Sequence, residues 1–326
     1  MGKHVPNFAE STLQDSRHDM SGFTADWRSL YPFRSRFLAI GGHRYHYLDE
    51  GQGEALLLVH GNPTWSFYWR NLILGLRERY RVIAVDHIGC GLSDKPLEYP
   101  YRLGQHVANL GRLVETLDLR DVTLLAHDWG GAIGIGAAVA SPERFARFVM
   151  FNTAAFRSRQ MPWRIAICRT PLLGRLAVQG LNAFARAALI MAMWNHERMT
   201  PAVQAGLLAP YDSWDHRQAI YRFVEDIPMH PAAPSYETLR LLEEKLPTLA
   251  ARPWMFVWGM RDWCFTPKFL ERFLEFVPQA EVHRLADAGH YVIEDAHERI
   301  VPLVEQFLTK HPPGSPFSVT AGGVSG

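Results

Sequence analysis

The chain predicts an α/β fold in which a mainly parallel sheet carries helices on both faces and a helical cap is inserted between two of the strands. Three observations lead there. Short apolar, β-rich runs alternate with longer stretches whose apolar residues recur at helical spacing, the rhythm of repeated strand-helix-strand units. That rhythm stops between about residues 155 and 235, where no strand-like alternation occurs and prolines recur. Finally, 326 residues, 48% hydrophobic and 21% charged, suffice for one large core with an insertion.

The elements follow in chain order. Residues 35–40 and 43–48 read as a hairpin about Gly41-Gly42, and 56–59, 81–85 and 122–125 as successive buried strands. Residues 103–117 carry a helical pattern between the last two. Residues 148–151, 254–258 and 281–285 complete the sheet, with helices at 132–140, 267–276 and 298–309. Inside the break, 172–193, 201–208 and 215–224 read as helices with apolar residues on most faces, as expected for a lid between a core and a pocket. The domain reading is a flexible N-terminal segment (1–25), an α/β core (26–154 and 236–311), a helical cap (155–235) and a loose Pro/Gly/Ser-rich tail (312–326).

Composition narrows the function classes. A net charge of +1 without Lys/Arg blocks leaves no electrostatic footprint for nucleic acid or an anionic membrane surface, and suits a small, largely uncharged substrate. Three widely spaced cysteines, Cys90, Cys168 and Cys264, form neither a disulfide framework nor a zinc pattern. The first twenty-five residues lack an apolar signal core, and the longest nearly unbroken apolar stretch, 187–194, is too short to span a bilayer. A cytoplasmic protein without a transmembrane segment is expected.

The chemistry is concentrated in three motifs. Ala126-His127-Asp128-Trp129-Gly130-Gly131, straight after a buried strand, has the form of a nucleophile elbow with aspartate at its tip. A carboxylate there can displace a leaving group at an sp3 carbon and leave an alkyl ester, whereas serine would attack carbonyls. The competing structural reading is Asp128 as N-cap of a helix beginning at Trp129. Asp262 follows the strand at 254–258, and His290 stands in Asp287-Ala288-Gly289-His290-Tyr291 beyond the last strand. Nucleophile, acid, histidine is the order of an α/β-hydrolase triad. Asp287 is a rival acid, disfavoured because its side chain would have to fold back locally. The third motif, His60-Gly61-Asn62-Pro63-Thr64-Trp65, occupies the position of an oxyanion loop. The Asn62 amide and the Trp129 indole N–H are uncharged donors suited to a leaving group that gains negative charge. Asp86-His87-Ile88-Gly89-Cys90-Gly91 has the spacing of neither a dinucleotide nor a phosphate loop and reads as a structural turn.

These residues resemble the haloalkane dehalogenase branch of the α/β-hydrolase superfamily over about residues 31–311. Some dehalogenases place a glutamate after the strand preceding Asp262; Asn152 stands there, which leaves Asp262 as the acid. Within the branch, Asn152-Thr153-Ala154-Ala155-Phe156, Pro210-Tyr211-Asp212-Ser213-Trp214 and Ala288-Gly289-His290-Tyr291-Val292-Ile293-Glu294-Asp295 are similar to a narrower group, the β-lactone decarboxylases of bacterial long-chain olefin biosynthesis. The resemblance implies a cis-dialkyl oxetan-2-one converted to a cis-alkene and carbon dioxide, no metal or organic cofactor, and partnership with the β-lactone-forming and ketone-reducing enzymes of the pathway. Asp128 would attack either the ring carbon bearing oxygen or the carbonyl carbon, and the sequence leaves both open. The long alkyl chains require a large apolar pocket, which residues 172–194 are expected to line. The alternatives are a haloalkane dehalogenase, with His290 activating water; an epoxide hydrolase, with lid tyrosines Tyr211 and Tyr221 as proton donors; and a vestigial subunit that only binds.

Overall fold

Eight strands form one sheet in the order β1-β2-β4-β3-β5-β6-β7-β8 in a computed structural model that describes residues 26–313. The expected flexible segment at 1–25 and the tail beyond 313 lie outside the described residues. Strands β1 (Arg36–Ile40) and β2 (His43–Glu50) make an antiparallel hairpin, and β2 runs antiparallel to β4 (Arg81–Val85). Gly41 and Gly42 turn it with φ of 58° and 83°, a left-handed pair that side chains resist. From β4 onward, β3 (Ala55–Val59), β5 (Val122–Asp128), β6 (Phe145–Thr153), β7 (Trp254–Gly259) and β8 (Glu281–Leu285) are all parallel.

The central strands β3 to β7 are largely apolar because both faces are covered, whereas β1, β2 and β8 carry polar, partly exposed residues. Successive residues point to opposite faces: Leu56, Leu58, Leu125 and Val149 join one core, Leu57, Val59, Leu124 and Phe148 the other. The first core receives α1 (Arg70–Leu76) and α11 (Val292–Lys310), the second α2 (Leu103–Thr116), α3 (Trp129–Ala140), α9 (Tyr236–Lys245) and α10 (Pro267–Phe276). Two of these, α1 and α9, were not foreseen. The helix expected at 298–309 is longer, starting at Val292 with a break at Ala296 (φ −149°).

Between β6 and β7 the chain leaves the sheet for α4 (Trp163–Cys168), α5 (Leu173–Arg175), a π turn (Leu176–Gly180), α6 (Ala183–Met191), α7 (Pro201–Leu208) and α8 (Gln218–Glu225) before α9 returns to the sheet. The single helix expected over 172–193 is broken. Asn182 adopts the left-handed conformation (φ 53°) and its buried amide donates to the Tyr211 carbonyl, so the backbone turns where apolar periodicity alone would continue. No helix among the described residues is long and apolar enough to cross a membrane.

Candidate active site

The loops after β3, β5, β7 and β8 all emerge at the carboxyl edge of the sheet, where side chains from distant parts of the chain meet. Asp128 sits at the tip of the β5-α3 turn with φ 53° and ψ −128°. A non-glycine residue held there signals a backbone shaped for a task. The surrounding space enforces small neighbours: a Cβ on Gly130 would strike the Val59 carbonyl, and one on Gly61 would strike the Asp128 carboxylate. The N-cap reading fails, since the Asp128 side chain caps none of the helix N–H groups in the usual way. Its Oδ1 instead accepts the backbone N–H of Asn62 at 2.6 Å, and the Trp129 backbone N–H also bonds the carboxylate. The backbone amides of the oxyanion loop and of the residue after the elbow tip therefore hold the carboxylate itself.

The other oxygen, Oδ2, lies 3.7 Å from His290 Nε2. On the far side of the ring, His290 Nδ1 is 2.8 Å from Asp262 Oδ2. Asp262 is fixed by three donors besides: Cys264 N–H at 2.6 Å, Phe265 N–H at 3.1 Å and the Asn152 amide at 3.0 Å. Asp287 is elsewhere, exposed and bonded to Arg299. By its position near the end of β6, Asn152 could orient the histidine or cap the strand. It does a third thing. A bulge after His127 leaves Asn152 unpaired at φ 27°, and its amide clamps Gly259 through both N–H and C=O while donating to Asp262.

Burial dominates the electrostatics. It pushes the Asp128 carboxyl up, an effect only partly offset by the His290 charge and the Asn62 and Trp129 N–H groups. For His290 burial works downward, but the charge and hydrogen bond of Asp262, with the charge of Asp128, outweigh it and the net shift is upward. Both groups are thus held above their ordinary ranges by their surroundings.

Above Asp128 lies an apolar cavity. Asn62, Asp128 and Trp129 form its floor, with Cys264 and Phe265 at one side. Phe265 stacks on the His290 ring, centroids 5.6 Å apart. The lid wall comes from Phe156, Ile165, Phe184, Val224, Ile227 and Met229. Of the expected lining segment 172–194 only Phe184 reaches the cavity, because most of its other large side chains pack inward against the core or face outward. Neither Tyr211 nor Tyr221 lines it, and the Tyr211 hydroxyl donates to the Thr64 carbonyl at 3.1 Å, which removes the structural support for epoxide hydrolysis. The Asn62 amide donates one hydrogen to the Ile220 carbonyl at 3.1 Å, leaving its second for a ligand. No cluster of His, Cys, Asp and Glu suited to a metal occurs among the described residues.

Asp295 was missed altogether. Its buried carboxylate accepts the N–H groups of Trp194 and Asn195 in the lid and of Gly289 beside the histidine, the last at 2.7 Å. The acidic pair Glu294-Asp295, set among the apolar residues that open this helix, was the available signal.

The parallel sheet, the aspartate elbow and the acid-histidine pair define the α/β hydrolase class, and a family model of the alpha/beta hydrolase fold matches residues 54–167. The crystal structure of haloalkane dehalogenase DatA from Agrobacterium tumefaciens C58 superposes with a TM-score of 0.77 at 26% identity, covering 85% of this chain and 96% of that one. Sequence comparison goes further. Cis-3-alkyl-4-alkyloxetan-2-one decarboxylases from Shewanella oneidensis and Xanthomonas campestris pv. campestris are 40% and 43% identical, over 86% and 82% of this chain and 90% and 92% of theirs. Haloalkane dehalogenase 2 of Mycobacterium tuberculosis is 34% identical over 87% of this chain and 98% of its own. This chain belongs to the cis-3-alkyl-4-alkyloxetan-2-one decarboxylase family, within the haloalkane dehalogenase-like α/β hydrolases.

Proposed function

We propose that this protein converts a cis-3-alkyl-4-alkyloxetan-2-one to a cis-alkene and carbon dioxide, with Asp128 as nucleophile, Asp262 and His290 as its acid and histidine partners, and Asn62 and Trp129 as donors to the departing oxygen. The observation that carries it is the carboxylate beneath an apolar cavity, in a chain more than 40% identical to one such decarboxylase along most of its length. Asp128 attacks the ring carbon bearing oxygen, the carbon–oxygen bond breaks, and a substrate carboxylate is released opposite the Asn62 amide and the Trp129 indole. The bond to that carboxyl then breaks, its electrons form the alkene, and Asp128 leaves as a carboxylate while carbon dioxide departs. Inversion followed by anti elimination turns a cis ring into a cis alkene. No proton changes hands. His290, which faces both carboxylates, positions Asp128 and eases its departure.

The residue span 155–235 acts in this reading as the lid over the alkyl chains. In this reading the protein works in the cytoplasm, at the end of long-chain olefin formation, alongside enzymes that reduce a ketone and close the β-lactone. Incubating purified protein with a synthetic cis-dialkyl β-lactone and, separately, with bromohexane tests the assignment. Rapid alkene formation supports it; inert lactone with brisk bromide release makes the protein a dehalogenase, the reading favoured by the 34% identical relative.

A further inference from the structure

The lid turns apolar side chains outward. Eight of the twelve large hydrophobic residues exposed among the described residues fall between Trp163 and Trp194, including Leu172 at 78%, Leu173 at 73% and Trp163 at 67%. On α4, Ile165 is buried in the cavity wall while Trp163 and Ile167, four apart on one helical face, look away from it. A patch of this kind on a monomer marks an interaction site.

Charge gives the patch a partner. Residues 155–195 contain six arginines and no Asp, Glu or Lys, although elsewhere in the chain acidic residues outnumber basic ones by five. The whole-chain balance of +1 hides this asymmetry, which is why net charge argued against a membrane surface. Among the described residues only Arg157 of the six has a carboxylate partner, Glu243. The lid carboxylates Asp212 and Glu225 pair with His216 and Arg222. Arg164 lies over the rings of Trp163 and Trp263, at 5.4 and 5.3 Å. Arginines set among exposed tryptophan and leucine are the composition of a surface that rests in the headgroup layer of an anionic bilayer.

We infer that the outer face of α4, α5, the π turn and α6 docks onto an anionic lipid surface, laying Trp163, Leu172 and Leu173 into the headgroup boundary with Arg159 and Arg186 against lipid phosphates. Binding stands on these observations alone. Its use, handing a long-chain alkene from the cavity beneath α4 directly to a bilayer, rests on the proposed function.

The test is co-sedimentation with vesicles of phosphatidylcholine alone or mixed with phosphatidylglycerol, at low and high salt. The expected result is binding to the anionic vesicles only, reversed by salt, and weakened at least about tenfold both by Arg159→Glu with Arg186→Glu and by Leu172→Ser with Leu173→Ser. None of these residues lines the cavity, and circular dichroism establishes that each variant is folded. The wild-type salt and lipid dependence stands as a measurement even if one variant misfolds. Absence of sedimentation, or equal binding to neutral vesicles, overturns the inference; absence of sedimentation with self-association that the leucine variant abolishes assigns the face to a second copy of the chain instead. Vesicle binding is read without turnover, so its failure is separable from failure of the decarboxylase assignment.

Discussion

The carboxyl edge of the sheet and the lid above it place their polar and apolar side chains in opposite ways. At the edge, charged groups are buried and tied: Asp262 has four donors within 3.1 Å, and Asp128 is gripped by backbone amides on an elbow that leaves no room for a side chain at Gly130 or Gly61. In the lid, leucines and tryptophans face out, and five of the six arginines between residues 155 and 195 stand without a carboxylate partner among the described residues. The first arrangement tolerates no movement, since an untied buried charge is costly. The second leaves apolar and cationic side chains facing outward, the arrangement from which lipid docking is inferred. A rigid chemical floor and an adaptable roof are thus written in two different residue vocabularies within one domain.

The largest test of the floor is Asp128→Ala. Alkene formation should fall by at least about 10³-fold in single-turnover assays, because nothing else in the cavity replaces the attacking carboxylate. Undiminished alkene would dismiss Asp128 as nucleophile. Asp262→Asn should cost about 10²- to 10⁴-fold, since an amide cannot serve all four donors and hold the His290 tautomer. The same variant should lower the His290 pKa in an NMR titration, the direction expected when the group that raises it loses its charge. Asp287→Asn, on the surface, should leave rate and titration at wild type.

The pH profile separates the two chemistries that share this floor. Burial raises the Asp128 pKa, so nucleophilic carboxylate is present above that value and is lost as pH falls through it. A decarboxylase needs no base, and its kcat/KM should show an acid limb set by Asp128, above the ordinary aspartate range. A dehalogenase must have neutral His290 to activate water, so the limb of kcat, when ester hydrolysis limits it, would instead follow the titration of His290, above the ordinary imidazole range. Measuring both limbs with lactone and bromoalkane distinguishes them.

The comparison also explains what the sequence made legible. Asp128, Asp262, His290, Asn62 and Trp129 are each next to a strand end that periodicity identifies, so short motifs sufficed to bring them to one edge, and all five are found there. The work of Asn152 depends on a bulge, which no spacing announces. The lid was harder for a physical reason. Helices that are apolar on most faces do not say which face is inside, and so the cavity wall was assigned to 172–194 when it is built mostly from Phe156, Ile165 and the stretch around Val224. The left-handed break at Asn182 was invisible for the same reason: residues on either side of it are equally apolar.

Asp295 is a carboxylate that floor and roof share, and replacing it gives a small but discriminating effect. Its carboxylate accepts from Trp194 and Asn195 at the end of the lid and from Gly289 next to His290, while the Tyr291 N–H bonds the Ala192 carbonyl at 2.8 Å alongside. Asparagine keeps the size but has a single acceptor oxygen, so Asp295→Asn must release either the lid or the histidine loop. Coupling through such a shared group is worth about 1–2 kcal/mol, or roughly tenfold in rate. If the two regions are joined here, hydrogen exchange should speed up together in residues 191–196 and 289–293, with kcat lowered about tenfold. If only the lid loosens and kcat holds, the floor is rigid by its own bonds and the roof moves independently of the chemistry beneath it.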